Sequence, residues 1–149
     1  MNDPVKQIIV VRKDLIEREE MAMTPGKLAA QVAHAAMAPI LEKMYNKPYS
    51  EYRDTKNYNK DYDLRLELKS GEPLKEWLEG SFAKVVVYVK SEEKLINLYN
   101  KLQAEGIIAC IIKDDGRTIF DEPTITCLGI EPLPSSVIGP LTKRLQLLG

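Results

Sequence analysis

The segment 7–12, with the sequence Gln-Ile-Ile-Val-Val-Arg, limits the fold of this chain more than any other. Its four consecutive branched aliphatic residues leave no polar face, whereas a strand with one side in water alternates apolar and polar residues. A short apolar run of this kind is typical of a strand that is buried on both faces, as in the middle of an α/β sheet. We therefore expect helices on both sides of a sheet.

Three later segments also have strand patterns. Residues 81–89 are rich in β-branched and aromatic residues, and residues 107–112 and 124–130 are short apolar runs. A short polar loop joins the last two runs, so these two strands are expected to pair antiparallel. The strand–helix–strand units before them favour parallel neighbours with right-handed crossovers.

Helix patterns separate these strands. Ser91 is a suitable N-cap for a helix whose apolar period includes Leu95, Leu98 and Leu102 and whose end is at Gly106. The tail from residue 135 predicts a last helix, broken at Gly139-Pro140. The whole order predicts a three-layer α/β/α fold with a mixed four-stranded sheet, in a single domain that spans residues 1–149.

A further helix is predicted from Thr24 to about Tyr45. Thr24 is a good N-cap, and Pro25 at the first helical position loses no intrahelical hydrogen bond. An alanine-rich run of good helix formers follows. Pro39 is expected to kink this helix or disturb one of its turns.

Lys27, Gln31 and His34 stand at positions i, i+4 and i+7 of that helix, so they form one polar stripe. Such a stripe is most often a solvated face. Two observations favour a functional site instead: His34 is the only histidine and lies among alanines, and Lys27 is in the first turn, where a cation opposes the helix dipole. A cation beside free backbone N–H groups suits an anion site.

Residues 45–75 differ in composition from the rest of the chain. They contain five of the seven tyrosines, many charges of both signs and few aliphatic residues. This predicts an inserted, mobile or loosely folded excursion. Within it, 64–69 alternates like a half-buried strand but is also compatible with a charged helix, and 74–79 predicts a short helix closed by Gly80. Stacking of the tyrosines on unpaired nucleotides is a minor alternative.

The segment 114–118, Asp-Asp-Gly-Arg-Thr, predicts a chain reversal between the last two strands, and a turn alone would explain it. Its residue types are also those of a phosphate or ester site. Arg117 can bind phosphate through two hydrogen bonds, and Asp114 can orient a histidine or a water. Thr118 and, in the following strand, Thr126 can donate to an oxyanion or a ribose hydroxyl.

Composition limits the possible partners. The chain carries 21 Lys and Arg against 22 Asp and Glu, a net charge of −1. Proteins that bind nucleic acid without sequence preference usually carry a large basic excess. Any contact with RNA is therefore expected to be a local patch or to be brief and weak, and no binding of DNA is expected.

Two cysteines and one histidine make a metal site improbable. Cys110 and Cys127 lie in apolar strand-like runs, so we expect buried, reduced thiols in a cytoplasmic protein. The first residues lack the apolar segment of a signal peptide, and no apolar run approaches the roughly 20 residues that span a bilayer. No membrane contact and no cofactor are expected.

Four separated motifs resemble those of the type II peptidyl-tRNA hydrolases. They are Val-Val-Arg-Lys-Asp-Leu at 10–15, Gly-Lys-Leu-Ala-Ala-Gln-Val-Ala-His-Ala at 26–35, the lysine that starts the second strand, Lys84, and the set Asp114, Gly116, Arg117 and Thr118. The similarity runs from residue 7 to the C-terminus and omits about 16–22 and 45–75. Residues 80–86, Gly-Ser-Phe-Ala-Lys-Val-Val, look like the bacterial branch of the family.

The resemblance implies hydrolysis of the ester between a peptidyl or N-blocked aminoacyl group and the 3′ end of tRNA, which recycles tRNA for translation. It carries the polar cluster of the family over to eight residues: Lys27, Gln31, His34, Lys84, Asp114, Arg117, Thr118 and Thr126. His34 and Asp114 are assigned to the water, Lys27 and Thr126 to developing charge, and Lys84 and Arg117 to phosphate. Peptidyl-tRNA as substrate, a homodimer and the absence of a metal are also implied.

Two other classes of function stay open from the sequence. One is a non-catalytic tRNA- or protein-binding module on the same fold, and the other is a hydrolase of another RNA or nucleotide ester. The chain also departs from the family pattern at Asp115, Ile119, Pro123 and Glu131. Asp115 and Glu131 are expected to place extra negative charge near the RNA site and to speed the release of tRNA.

Overall fold

The computed structural model describes residues 3–54 and 59–149, and within these ranges the chain forms six strands and six helices. The strands are β1 (Val5–Arg12), β2 (Lys84–Val89), β3 (Ala109–Asp114), β4 (Thr124–Ile130), β5 (Leu133–Pro134) and β6 (Gln146–Leu147). The helices are α1 (Asp14–Glu17), α2 (Pro25–Tyr45), α3 (Tyr49–Asp54), α4 (Pro73–Glu79), α5 (Glu92–Ala104) and α6 (Ser135–Thr142).

The strands form one mixed sheet in the order β3-β4-β1-β2-β6, with β5 paired to the start of β1. β1 and β2 are parallel, and β4 is antiparallel to both β1 and β3, as predicted for the last two long strands. The prediction of four strands was too low, because β5 and β6 are two-residue strands without an apolar pattern of their own. The four predicted strands are the long ones.

Helices cover both faces of the sheet, which confirms the predicted α/β fold. Alternate residues of β1 point to opposite faces. Ile8 and Val10 pack against α5 and α6 in one core, whereas Ile9 and Val11 pack against α2 in another. Because β1 is buried on both sides, its continuous apolar run is explained.

The ends of the two longest helices follow the sequence signals. The Thr24 hydroxyl accepts a hydrogen bond from the Lys27 N–H at 3.3 Å, and the Ser91 hydroxyl accepts one from the Lys94 N–H at 3.2 Å. α2 continues through Pro39 and ends before Asn46, which adopts the left-handed conformation common after a helix.

The helix α2 lies very close to β4 at one point. A Cβ built on Gly129 would stand 1.9 Å from the backbone oxygen of Ala35. Alanine at position 35 and glycine at position 129 together let the helix backbone contact the strand. This close contact fixes the position of α2 on the sheet, and with it the distance of Lys27, Gln31 and His34 from the ends of the strands.

The described part of the predicted excursion, residues 45–54 and 59–75, contains α3 and the start of α4. Residues 49–54 form α3, whose Tyr52 stacks on Tyr45 with ring centroids 4.3 Å apart. Residues 64–69 form neither the predicted strand nor a helix, although Leu66 and Leu68 pack beside Trp77. The alternation of apolar and charged residues arises because the leucines of this irregular segment pack against the protein while the charged residues between them face solvent. The predicted short helix is α4, and Tyr58 lies outside the described residues.

The predicted break in the tail is wrong. α6 runs through Gly139 and Pro140 to Thr142, because a proline in so short a helix removes only one backbone hydrogen bond. After it, β6 pairs with β2 and closes that side of the sheet. Among the described residues, no helix has both the length and the apolar character needed to cross a membrane.

Candidate active site

The strands β1, β2 and β3 end at the same edge of the sheet. β1 and β2 are parallel, and β3 is parallel to both because each of the pairs β1–β4 and β3–β4 is antiparallel. We call this the carboxyl-terminal edge. Asp114, the last residue of β3, lies there, and its Oδ1 accepts a hydrogen bond from the Gly116 N–H at 2.9 Å. The turn thus holds the carboxylate in place.

Lys27 in the first turn of α2 joins this turn to the helix. Its Nζ forms an ion pair with Oδ2 of Asp114 and donates a hydrogen bond to Oγ1 of Thr118 at 2.8 Å. The two charged side chains are largely buried, with exposed fractions of 15% for Lys27 and 10% for Asp114. The structure therefore brings together three of the predicted site residues by direct contact.

Two opposing effects act on the carboxyl of Asp114. Burial raises its pKa, but the hydrogen bonds from Lys27 and the Gly116 N–H, with the charges of Lys27 and His34, outweigh burial and lower the pKa below its usual value. Asp114 is therefore ionised at neutral pH, as a partner of the Lys27 ammonium.

Gln31 and Thr126 form the layer beneath this ion pair. Thr126 is fully buried, and its hydroxyl donates to Oε1 of Gln31 at 2.5 Å and contacts the Ile112 backbone oxygen at 3.4 Å. Because the oxygen of the Gln31 carboxamide is held by Thr126, the amide N–H groups of Gln31 are left as donors. The Thr126 hydroxyl therefore contacts Gln31 and does not line the open cavity.

His34 lines a cavity of about 370 Å³ next to Asp114. It is exposed, so it is not a core histidine. Helix α2 gives one wall, α3 a second, and the end of β3 with its turn the third; the lining residues are Gln31, Ala33, His34, Met37, Leu41, Tyr49, Tyr52, Ile112, Lys113, Asp114 and Asp115. The described part of the 45–75 segment therefore builds one side of this cavity.

Arg117 lies on the same turn and is not part of the ion-pair cluster. Its side chain is exposed, and no described residue forms a hydrogen bond or an ion pair with it. Its guanidinium is thus exposed to solvent next to Thr118.

Lys84 is not near the other predicted site residues. It starts β2, opposite Gln7, whereas the cluster lies where the parallel strands end. At about 3.3 Å per residue, a strand of this length separates the two edges by roughly 17 Å. Its ammonium contacts the Phe82 ring at 3.1 Å from the centroid and donates to the Phe82 carbonyl at 3.1 Å. The predicted convergence of Lys84 with Lys27 and Arg117 was wrong.

The two departures from the family pattern have different positions. Asp115 is exposed and lines the cavity, as expected for an acid beside the site. Glu131 follows β4 at the opposite edge, where it pairs with Lys43 at 3.0 Å and accepts from the Ile108 N–H at 2.7 Å. The expectation that Glu131 adds charge near an RNA site was wrong, because its carboxylate holds the end of α2 to the start of β3.

Both cysteines are buried free thiols, as predicted. Burial raises the pKa of Cys127 to about 12, so it is protonated at neutral pH. Among the described residues, no three His, Cys, Asp or Glu side chains are grouped as a metal ion would require.

Arg12 at the end of β1 was not among the predicted site residues. Its guanidinium hydrogen-bonds both carboxylate oxygens of Asp14, at 3.2 and 2.7 Å, and the Ile125 backbone oxygen at 3.0 Å. Arg12 thus connects the end of β1 to the start of β4 at the carboxyl-terminal edge. Its position directly after a buried strand was a usable signal.

Comparison with known proteins gives a consistent result. The family model described as "Peptidyl-tRNA hydrolase PTH2" matches residues 5–148. A peptidyl-tRNA hydrolase of Sulfolobus acidocaldarius is 35% identical over 144 residues, which cover 97% of this chain and 100% of the relative. The corresponding protein of Metallosphaera sedula is 33% identical with the same coverage, and one of Saccharolobus islandicus is 35% identical over 97% of this chain and 99% of its own length.

The family model covers nearly the whole chain. It includes both motifs that form the ion-pair cluster, 26–35 with Lys27 and 114–118 with Asp114 and Thr118. The chain belongs to the peptidyl-tRNA hydrolase PTH2 family.

Proposed function

We propose that this protein hydrolyses the ester bond between a peptidyl or N-blocked aminoacyl group and the 3′ ribose of tRNA. The observation that carries the proposal is the ion pair of Lys27 and Asp114 at the rim of a cavity, with Thr118 on the same ammonium. A cation and a carboxylate held together at an accessible edge supply the two groups that ester hydrolysis needs. These are a stabiliser of negative charge and an acceptor for the proton of water.

The reaction follows from these positions. A water between His34 and Asp114 loses a proton to one of them while its oxygen attacks the ester carbonyl carbon. The Lys27 ammonium stabilises the negative charge that develops on the carbonyl oxygen. When the tetrahedral intermediate collapses, the bond to the ribose 3′ oxygen breaks and that oxygen takes up the proton. Gln31, held by Thr126, positions the water or the ester from below.

The cavity accounts for the acyl part of the substrate. Its volume of about 370 Å³ is in the range of small-ligand pockets, and Met37, Leu41, Tyr49 and Tyr52 give it an apolar wall. Placed there, the amino acid at the end of the peptide puts its carbonyl next to Asp114 and Lys27. Arg117, exposed on the adjoining turn, holds the phosphate that precedes the 3′ ribose. Lys84 has no part in this proposal.

Further attributes belong with this function. A homodimer, a single domain with 45–75 as an insertion, and a cytoplasmic location agree with the translation-related substrate, and each remains part of the proposal. The placement in a bacterial branch, indicated by residues 80–86, stays a prediction, and the relatives reported above are archaeal.

A substrate panel tests the activity. Purified protein is incubated with N-acetyl-aminoacyl-tRNA, with unblocked aminoacyl-tRNA and with a nucleotide ester that lacks the tRNA body. We expect release of the acyl group from the blocked tRNA at the highest kcat/KM. Faster hydrolysis of the simple ester would indicate another ester hydrolase, and tRNA binding without release would indicate a non-catalytic module.

His34→Ala is expected to lower kcat on peptidyl-tRNA by about 100-fold, because a positioned acid–base group typically contributes at least that much. His34 is exposed, so the melting temperature should stay close to that of the wild type. Met37→Ala, one turn further along the same cavity, is the control and should raise KM more than it lowers kcat. A His34→Ala protein with normal turnover per folded molecule would remove His34 from the mechanism.

A further inference from the structure

A second depression, which we call the basic groove, lies on the face of the sheet opposite α2. It has a volume of about 660 Å³ and runs between α5 and the chain from α6 to β6. Its rim carries five cationic side chains: Lys90, Lys94, Lys101, Lys143 and Arg144. No acidic residue among those the structure describes lines it.

The five cations of the basic groove are available to a ligand. All five are exposed, and none of them forms an ion pair with a residue in 3–54 or 59–149. Lys94 and Lys101 are seven residues apart, so they lie on one side of α5 and about 10 Å apart along its axis. The acids of the first turn, Glu92 and Glu93, lie about 160° and 100° around the helix from Lys94. The charges are therefore sorted by helix face.

This sorting matters for a protein without excess positive charge. With five of the 21 Lys and Arg residues on the basic groove, the remaining 16 stand against 22 Asp and Glu. The rest of the surface is thus clearly acidic and repels a polyanion. A polyanion that approaches the protein is directed to the basic groove and to the few cations near it.

The basic groove reaches the carboxyl-terminal edge that holds the candidate active site. Lys90 directly follows β2, and the Val89 carbonyl accepts a hydrogen bond from the Lys13 N–H at 2.9 Å. The Lys13 ammonium lies 4.3 Å from the centroid of the Tyr88 ring, and because Val87 and Val89 point into the core on the α5 side, this ring lies on the opposite face of β2 from the groove. Along this edge β3 and β2 are three strand spacings apart, about 14 Å. Arg12 and Lys13 lie between the two sites, and both are paired within the protein, Arg12 with Asp14 at 2.7 Å and Lys13 with Glu17 at 3.3 Å.

We infer that the basic groove binds the phosphate backbone of the same tRNA whose 3′ ester lies at Lys27. The inference rests on the proposed function, since that function makes the bound polyanion a tRNA. Cations spread over about 10 Å of a helix suit successive phosphates of one strand better than a single small anion, which needs converging donors. The backbone then passes the ends of β2 and β1 and reaches the ester site from the side of β2.

The test removes two charges from the α5 side of the basic groove. Lys94→Gln/Lys101→Gln is compared with Arg65→Gln/Lys69→Gln, which removes two exposed cations from the segment before α4. Binding of deacylated tRNA is followed by fluorescence anisotropy over a range of salt concentrations. In the groove variant the log–log slope should become shallower by about 1.4 to 1.8, and affinity should fall roughly 10-fold at moderate salt. The tRNA affinity of the control variant should fall less than twofold.

Kinetics separate this inference from the proposed function. On N-acetyl-aminoacyl-tRNA, the groove variant should raise KM about 10-fold with kcat within twofold of wild type. On a short ester that ends a few nucleotides from the 3′ terminus, it should match wild type. If both double variants lose the same tRNA affinity, or if the salt slope of the groove variant is unchanged, the inference is overturned, whereas the proposed hydrolase activity is not. A wild type that binds tRNA through the groove but releases nothing overturns the function alone.

One more outcome also contradicts the inference. If the mass in sedimentation falls from dimer to monomer in Lys94→Gln/Lys101→Gln but not in the control, the basic groove is an interface between two copies of the chain. An unchanged mass together with the weakened tRNA binding supports the RNA-backbone site.

Discussion

Asp114→Asn should lower kcat on peptidyl-tRNA by roughly 100- to 10,000-fold, the range of a lost acid–base group. The asparagine keeps the shape of the side chain and can still accept the Gly116 N–H through its oxygen. It cannot take a proton from water, and it leaves the Lys27 ammonium without its ion-pair partner. Single-turnover measurements at saturating enzyme report the chemical step directly.

The control for this variant is Asp115→Asn, which removes a neighbouring exposed acid that also lines the cavity. Its kcat should stay within a few-fold of wild type, and tRNA affinity should rise because one negative charge is lost. Equal losses of kcat in the two variants would show that general charge near the turn, rather than the carboxylate of Asp114, matters.

The lowered pKa of Asp114 sets the pH window of its contribution to stability. Its stabilising ion pair is present above the unfolded pKa of about 3.9 and is lost as the pH falls through the lower folded pKa. The difference in unfolding free energy between wild type and Asp114→Asn should therefore be constant from pH 7 to about pH 4 and shrink below it. Urea unfolding across this range measures it.

Gly129→Ala should destabilise the fold by at least about 1–3 kcal/mol, the usual cost of overpacking. The new Cβ would stand 1.9 Å from the Ala35 oxygen and 2.7 Å from its carbonyl carbon. Both atoms are backbone, so no side-chain rotation relieves the clash and α2 must move off β4. The same movement displaces Lys27, and activity should fall with stability.

Gly139→Ala is the matched control for that substitution. It lies inside α6, and a Cβ there meets nothing within 4 Å. Since alanine has the higher helix propensity, the variant should be neutral or more stable by up to about 1 kcal/mol. If urea unfolding gave the same loss for both variants, the close contact between α2 and β4 would not be what constrains position 129.

Local signals in the sequence predicted most of the fold. The run Ile8–Val11 is apolar throughout because helices cover both faces of β1. A strand buried in this way has no solvent-facing positions, so its sequence does not alternate between apolar and polar residues. Thr24 and Ser91 marked helix starts correctly since capping depends on the nearest backbone N–H groups alone. Only the resemblance placed Lys27 and Asp114 in one polar cluster, and their direct contact was not predicted, because 87 residues separate them in the chain.

The errors concern features that topology decides. Lys84 was placed in the site only because it matches a lysine of the family pattern, but it is the first residue of β2 and so lies at the edge opposite the ends of the parallel strands. The expectation for Glu131 was wrong for a similar reason: β4 runs antiparallel to β3, so the residue that follows β4 lies at the opposite edge. The wall of the cavity formed by Tyr49 and Tyr52 depends on how α3 packs against α2, which composition does not encode.

The net charge of −1 concealed the basic groove. A net charge summed over the chain does not show that basic residues cluster on one surface. The groove also combines lysines of α5 with Lys143 and Arg144, which lie more than 40 positions later in the sequence. Only the part on α5, Lys94 and Lys101 on one helix face, was readable from the sequence.

Release of the N-acetyl-aminoacyl group from tRNA by wild type and by Lys27→Ala tests the central claim most directly. Lys43→Ala is the control, since Lys43 is the other ion-paired lysine of α2, at the opposite edge of the sheet. Wild type and Lys43→Ala should both release the acyl group, and kcat for Lys27→Ala should be lower by about 100- to 1,000-fold, as for a lost oxyanion stabiliser. A wild type that releases nothing, or a Lys27→Ala protein with the kcat of Lys43→Ala, would contradict the assignment of the ester site to Lys27 and Asp114.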